Sequence, residues 1–142
     1  MSERLVEDRR DEDSVRDVLF QVPYLAQGLL DRQWRDCVSR DVVLVLGDSP
    51  EHEGHRELTG LDAFARYYEQ VPQRMRFVVN PLVQIDGRSA HASSVNIIMD
   101  VVSGAPTISG IERVEDVLEQ GPTGRWIIIR RASTEVGQRG RG

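Results

Sequence analysis

Apolar residues recur at helical spacing near the start of the chain, at Val15, Val18, Leu19, Val22, Leu25, Leu29 and Leu30. Ser14 stands before this run as a helix cap, with Asp17 three residues on in a capping-box-like arrangement. Pro23 removes a backbone donor inside the run and is expected to bend the helix near Phe20. Gly28 weakens it by up to about 1 kcal/mol relative to Ala. The pattern predicts a bent helix over 14–31 and a short second helix over 33–39. Residues 1–13 are mostly charged and are expected to fray. Asp41–Leu46 is rich in β-branched residues and reads as a buried strand. Residues 47–59 read as a polar loop. Leu61, Phe64, Ala65 and Tyr68 then predict a helix over 60–70, which Pro72 stops.

The second half alternates with period two. It predicts strands over 74–85, 90–102, 108–120 and 125–131, joined by short turns of which Asp86-Gly87-Arg88 is an Asp-Gly type. Helices followed by an antiparallel meander give an α+β class, with the helices segregated onto one face of a curved sheet. Strands of this length must curl, and helices on the concave face then close a cone with a pocket inside. Alternation puts Arg76, Val78, Asn80 and Leu82 on one face of the first long strand. It puts Ala90, Ala92, Ser94, Asn96, Ile98 and Asp100 on one face of the next. Small residues followed by polar ones leave room and offer hydrogen-bond partners. In the third strand the parity stays open: Val114 and Leu118 argue for Asp116 inside, Ile111 and Val117 for the other face. One domain over 14–133 is expected, with 134–142 as a disordered tail.

Charge changes this picture little. The net charge is −5, and every one of the 18 basic residues is Arg, which reads as GC-rich codon bias. The Arg residues are scattered, so nucleic acid is an unexpected partner. No apolar run approaches the roughly 20 residues of a membrane span, and the charged start carries no secretory signal, so a cytoplasmic protein is expected. A single cysteine, Cys37, argues against a disulfide and reads as packing. Glu51-His52-Glu53-Gly54-His55-Arg56-Glu57 has the donors of a metal site but no fixed scaffold. A solvated lid is the expectation there, with no metal and no cofactor. His91 is expected on the outer sheet face.

Several short signatures, in this order of elements, resemble the SnoaL-like branch of the nuclear transport factor 2-like superfamily. Tyr24…Leu30-Asp31-Arg32-Gln33-Trp34 is similar to that family's Tyr…Leu-Asp-Arg-x-x-Trp helix. Thr59-Gly60-Leu61-Asp62-Ala63-Phe64 is similar to its Gly-x-x-Ala helix start. Arg76-Phe77-Val78-Val79-Asn80…Ile85-Asp86-Gly87-Arg88-Ser89-Ala90-His91-Ala92-Ser93-Ser94 resembles His-x-x-x-Asn…Val-Asp-Gly-Asp-x-Ala-x-Ala-x-Ser. Gly110…Asp116-Val117-Leu118…Gly124-Arg125-Trp126-Ile127…Arg130-Arg131 resembles Gly-x-Tyr-x-Asp-x-Leu…Gly-x-Trp-x-Ile…Arg. The resemblance covers about residues 14–133. It implies a cone-shaped fold hosting cofactor-free cyclases, dehydratases, isomerases, epoxide hydrolases and non-enzymatic binding proteins. It also implies a hydrophobic polyketide-type substrate, antibiotic or other secondary metabolism, and a homodimer formed through the outer sheet face. Arg76 stands where many relatives carry a His, which argues against His-assisted dehydration.

The candidate chemistry follows. Tyr24 and Asp31 lie about two helical turns apart and share a face. Either Tyr24 packs and Asp31 is solvated, or both enter the cone, where apolar surroundings would tune Asp31 for proton transfer and Tyr24 would donate to a developing enolate. Arg76 either lies at the cone mouth in solvent, or faces the pocket paired with Asp31, Asp100 or Asp116 and clamps a ligand oxygen. Asp31, Tyr24 and Arg76 are the expected catalytic set. Trp34, Asn80, Ser94, Asn96, Asp100 and Asp116 are the expected ligand-binding residues. A non-catalytic binding or assembly domain is the alternative.

Overall fold

In a computed structural model, the described residues are 3–22, 33–47, 54–69, 74–102 and 104–136, with the side chains of 3–8, 33, 34, 101 and 102 left undescribed. Helix α1 spans Glu3–Gln21. A 3-10 turn, Gln33–Cys37, leads into strand β1, Val38–Leu46. Strand β2, Arg56–Thr59, and helix α2, Leu61–Glu69, follow. Four long strands complete the chain: β3 Arg74–Asp86, β4 Ser89–Val102, β5 Ala105–Gln120 and β6 Trp126–Val136. With β1 and β2 they form one six-stranded curved sheet in the order β2-β1-β6-β5-β4-β3. The neighbours pair antiparallel except β1 with β6, which run parallel. The architecture is the expected α+β cone.

The differences from the sequence pattern have physical causes. Helix α1 begins at Glu3, not at Ser14, so residues 3–13 are helical rather than frayed. Their charge is matched partly along the helix itself: Arg16 reaches Glu12 and Asp13 at 3.6 and 3.5 Å, spacings that place side chains on one face. The expected continuation of the helix to residue 31 lies outside the described residues. The second helix shrinks to a 3-10 turn, because Val38 already belongs to β1. The polar loop contains β2, a short, mostly exposed edge strand with no apolar alternation to announce it. Strand β6 runs on to Val136, past the expected end of the domain.

The inner face is apolar on one side and polar on the other. Val15, Val18, Leu19 and Val22 near the end of the first helical segment and Phe64, Ala65 and Tyr68 of α2 bury against Val42, Leu44, Ala90, Ala92, Leu118, Trp126 and Ile128. Trp126 Nε1 also donates to Asp11 Oδ1 at 3.4 Å. At Gly87 the β3–β4 turn needs a positive φ of 62°, which glycine adopts at no steric cost. No helix among the described residues is long and apolar enough to cross a membrane.

Candidate functional site

Toward one end of the inner face, the register aligns polar residues on adjacent strands. Asn96 of β4 faces Glu112 of β5, and Glu112 faces Glu135 of β6. Further along the same strands, Ala92 faces Asp116 and Asp116 faces Arg131. Arg76 enters from β3, and α2 lays Tyr67 and Tyr68 across them. The result is two buried ion pairs with one aromatic ring between them.

The first pair is Arg131–Asp116. Arg131 Nε donates to Asp116 Oδ1 at 2.6 Å, and Nη2 donates to Oδ2 at 3.1 Å. Arg131 Nη1 donates to the Tyr68 hydroxyl at 3.2 Å. Fork meets fork, so both carboxylate oxygens are satisfied. Asp116 is 0% exposed. Burial raises its pKa, against the pull of Arg131. Burial alone would lower the Arg131 pKa, but Asp116 outweighs it and the guanidinium is held above its ordinary range.

The second pair is Arg76–Glu112. Arg76 Nε donates to Glu112 Oε1 at 3.2 Å, and Asn96 Nδ2 donates to the same oxygen at 2.8 Å. Both bonds fall on Oε1, and Oε2 takes none among the described residues. Glu112 is 1% exposed and Asn96 2%. Asn96 Oδ1 is buried and has no hydrogen-bond partner among the described residues. An unmet buried acceptor of this kind costs about 1–3 kcal/mol and calls for an explanation. Burial lowers the Arg76 pKa, but Glu112 and the two phenols more than reverse this, so Arg76 is held charged.

Aromatic groups close the cluster. The Arg76 guanidinium lies 5.0 Å from the Tyr68 ring centre, and that of Arg131 lies 5.9 Å away. Tyr67 meets Tyr68 edge-on at 5.1 Å, and Phe64 meets it at 5.0 Å. Burial, then Tyr68 and Glu112, push the Tyr67 phenol far above the ordinary phenol range, so it stays a neutral O–H donor. Tyr67, Glu112, Ser133 and Glu135 line a narrow cleft with Leu46, Gly47 and Arg56. A carboxylate with one unbonded oxygen, a guanidinium, a neutral phenol and an unmet amide oxygen can move a proton and stabilise charge on a ligand oxygen.

A family profile described as "SnoaL-like domain" matches residues 7–132. The chain belongs to the SnoaL-like domain family. No curated protein matches it significantly. Among solved structures, this SnoaL-like domain is similar to an NTF2-like protein with a cystatin-like fold from Novosphingobium aromaticivorans. The two share 17% identity and a TM-score of 0.75, over 96% of this chain and 87% of that one. It is also similar to a variant of Rv3472, a protein of unknown function from Mycobacterium tuberculosis, at 16% identity and TM-score 0.77, over 92% and 75%. A third is the CaMKII hub of S. rosetta, at 17% identity and TM-score 0.66, over 87% and 95%. These likenesses establish the nuclear transport factor 2-like fold.

The SnoaL-like domain brings together only part of the site expected from sequence. Arg76 is buried and inward, but its partner is Glu112 rather than Asp31, Asp100 or Asp116. Asp100 is half-buried and pairs with Arg74 at 3.2 Å. Asp116 faces inward and is bound to Arg131. Asn96 and Ser94 face inward as expected. Asn80 does not: it is exposed, with φ of 50°, at a bulge between Val79 and Leu82. The extra residue flips the parity of β3 beyond it, so Leu82 is 69% exposed while Val83 and Ile85 pack on the core. Tyr24, Asp31 and the Trp34 side chain lie outside the described residues, as do Glu51, His52 and Glu53 of the loop with metal-type donors. Among the described residues no cluster of metal-type donors forms.

Glu112, Tyr67, Tyr68 and Arg131 join the site without being expected there from sequence. The available signal is a charged residue at an inward parity in β5, obscured by apolar Ile111 on the solvent face. Cys37 is buried, with its thiol near Gln21 Oε1 at 3.4 Å, and burial raises its pKa, the condition of an inert packing cysteine. His91 lies on the outer face, 2.9 Å from Glu115.

Proposed function

We propose that this SnoaL-like domain is a cofactor-free enzyme acting by acid–base chemistry on a hydrophobic, polyketide-type small molecule held against the polar end of the cone. The observation that carries the reading is the half-used Glu112 beside the unmet Asn96 Oδ1. Glu112 takes a proton from carbon next to a carbonyl. The electron pair moves to the carbonyl oxygen, which becomes an enolate. Arg76 uses only Nε on Glu112, so its Nη donors and the Tyr67 hydroxyl stabilise that oxygen. Asn96 orients the ligand. Proton abstraction of this type serves cyclisation, isomerisation and dehydration alike; epoxide opening would use the same carboxylate on water. Asp31 and Tyr24, which lie outside the described residues, belong to the same proposal as a second proton carrier and an oxygen donor.

We also propose a homodimer through the outer sheet face. Phe77, Ile97, Ile111 and Val136 are register partners in one row across four strands, and Phe77, Ile111 and Val136 are exposed. Such a row is a surface suited to a second copy.

The test is hydrogen–deuterium exchange at the α-carbon of a hydrophobic β-diketone in D₂O. Wild type is expected to catalyse exchange. Glu112→Gln is expected to slow it about 10²–10⁴-fold while retaining ligand affinity, and Asp31→Asn and Tyr24→Phe to slow it by smaller factors. Exchange absent in wild type, or unchanged in Glu112→Gln, would refute the catalytic reading in favour of a binding domain.

A further inference from the structure

The narrow cleft beside Glu112 is too small for an organic ligand. Its volume is about 10 Å³, close to that of a single water-sized sphere. Its place relative to the open ion pair gives it a use. Arg76 and Asn96 reach Glu112 from the β3 and β4 side, and both bond Oε1. The cleft lies on the other side, against Ser133 of β6 and Gly47 at the end of β1. Gly47 N donates to Ser133 O at 2.8 Å and pins the two strands together at this wall. Ser133 is 4% exposed, and neither its hydroxyl nor that of Tyr67 makes a hydrogen bond among the described residues. Arg56 of edge strand β2 also lines the cleft and is exposed, so the cleft opens to solvent beside it.

We propose that this cleft is a one-water site that carries protons between Glu112 and solvent. It rests on the reading of Glu112 as the base. The water donates to Glu112 Oε2 and to the Tyr67 oxygen and accepts from the Ser133 hydroxyl. Three bonds are the ordinary complement of a buried water. The Tyr67 O–H stays available for the ligand oxygen. A base that is 1% exposed holds the proton it has taken until a path removes it. Here the Oε2–H bond breaks as a new O–H bond forms on the water. One of the water's own O–H bonds breaks in turn and passes its proton to solvent at the mouth. Carboxylate and water are both restored. Ser133 is thus a positioning residue, acting through the water rather than on the ligand.

The test pairs a crystal structure of the full chain, at a resolution that shows ordered water, with two variants of Ser133. Wild type is expected to hold one water bonded to Glu112, Tyr67 and Ser133. Ser133→Ala loses the hydroxyl but keeps the space, whereas Ser133→Val also fills it. Washout of tritium from the α-carbon of a hydrophobic β-diketone is then followed in H₂O and in D₂O. Ser133→Ala is expected to keep the water and to slow washout only about 3-fold, the scale of one lost hydrogen bond. Ser133→Val is expected to expel the water and to slow washout about 10-fold or more. Its ratio of rates in H₂O and D₂O is expected to rise above that of wild type, because transfer from Glu112 becomes limiting. A variant that merely loses folded protein would keep the wild-type ratio. A wild-type cleft without the water, equal slowing in the two variants, or an unchanged isotope ratio in Ser133→Val would overturn the relay while leaving Glu112 as the base. A wild type that holds the water but releases no tritium would sink the catalytic reading and the relay together, leaving a structural water.

Discussion

The two buried ion pairs are built from the same chemistry and differ in how completely they are used. Arg131–Asp116 is closed: both carboxylate oxygens are bonded and each guanidinium nitrogen has a partner, the Tyr68 hydroxyl accepting from Nη1. Arg76–Glu112 is open: two donors crowd one oxygen, and a neighbouring amide oxygen has none among the described residues. A closed pair fixes geometry and leaves no unbonded carboxylate oxygen for a ligand. An open pair keeps bonding capacity, at a cost in stability that a purely structural cluster would have no reason to carry. Tyr68 lies between the two guanidiniums and ties the open pair to the rigid one.

The sharpest way to break the comparison is to remove one carboxylate from each pair. Asp116→Ala leaves a buried guanidinium uncompensated and is expected to cost about 3–5 kcal/mol in guanidinium chloride unfolding, a large share of the stability of a domain this size. Glu112→Ala strips a carboxylate from Arg76 in the same way, but Arg76 spends only Nε on it, and the loss is expected to be about 1–2 kcal/mol smaller in the same experiment. Equal losses would mean the two pairs are structurally equivalent.

Alkaline pH offers a gentler probe. Burial holds the Tyr67 and Tyr68 phenols above the ordinary phenol range in the folded state. An unfolded tyrosine ionises at about pH 10, so the unfolded state gains charge first. The stability these rings contribute is therefore complete below about pH 10 and lost as pH rises toward their folded values. Unfolding midpoints at about pH 8 and about pH 11 are expected to differ more in wild type than in Tyr67→Phe; equal differences would place the Tyr67 phenol in water. The smallest effect belongs to the outer face. Glu115 accepts from Ser93 Oγ at 2.7 Å and lies 2.9 Å from His91, but is about half exposed. Glu115→Gln is expected to change stability by no more than about 0.5 kcal/mol, and a larger loss would show that this face is covered.

Period-two alternation makes β4 legible almost to the residue, and places Ala90, Ala92, Ser94, Asn96 and Ile98 inward, because one face of that strand is apolar or small; in β5 it leaves the parity open. It fails where tertiary structure outvotes pattern. The bulge at Asn80 reverses parity without any mark in the alternation beyond an adjacent proline. Strand β2 is an edge of four residues whose hydrogen bonds, not hydrophobicity, define it. The charged start of α1 gains order from packing against the sheet and from its own ion pairs. Glu112 and Arg131 are the deepest omission. A buried charge reads as surface until its partner is known, and these partners lie on other strands. Asn96 stands out because it shares a face with alanines; Glu112 does not, because its exposed neighbour Ile111 looks like the inward residue.

The claim that the open pair is the working one is tested most directly by following arginine Nε–H resonances during addition of a hydroxylated hydrophobic ligand. The Arg76 signal and the Asn96 side-chain amide are expected to shift with ligand concentration, while the Arg131 signal stays fixed. Movement of Arg131 with Arg76 and Asn96 unmoved would contradict the assignment of function to Arg76, Glu112 and Asn96.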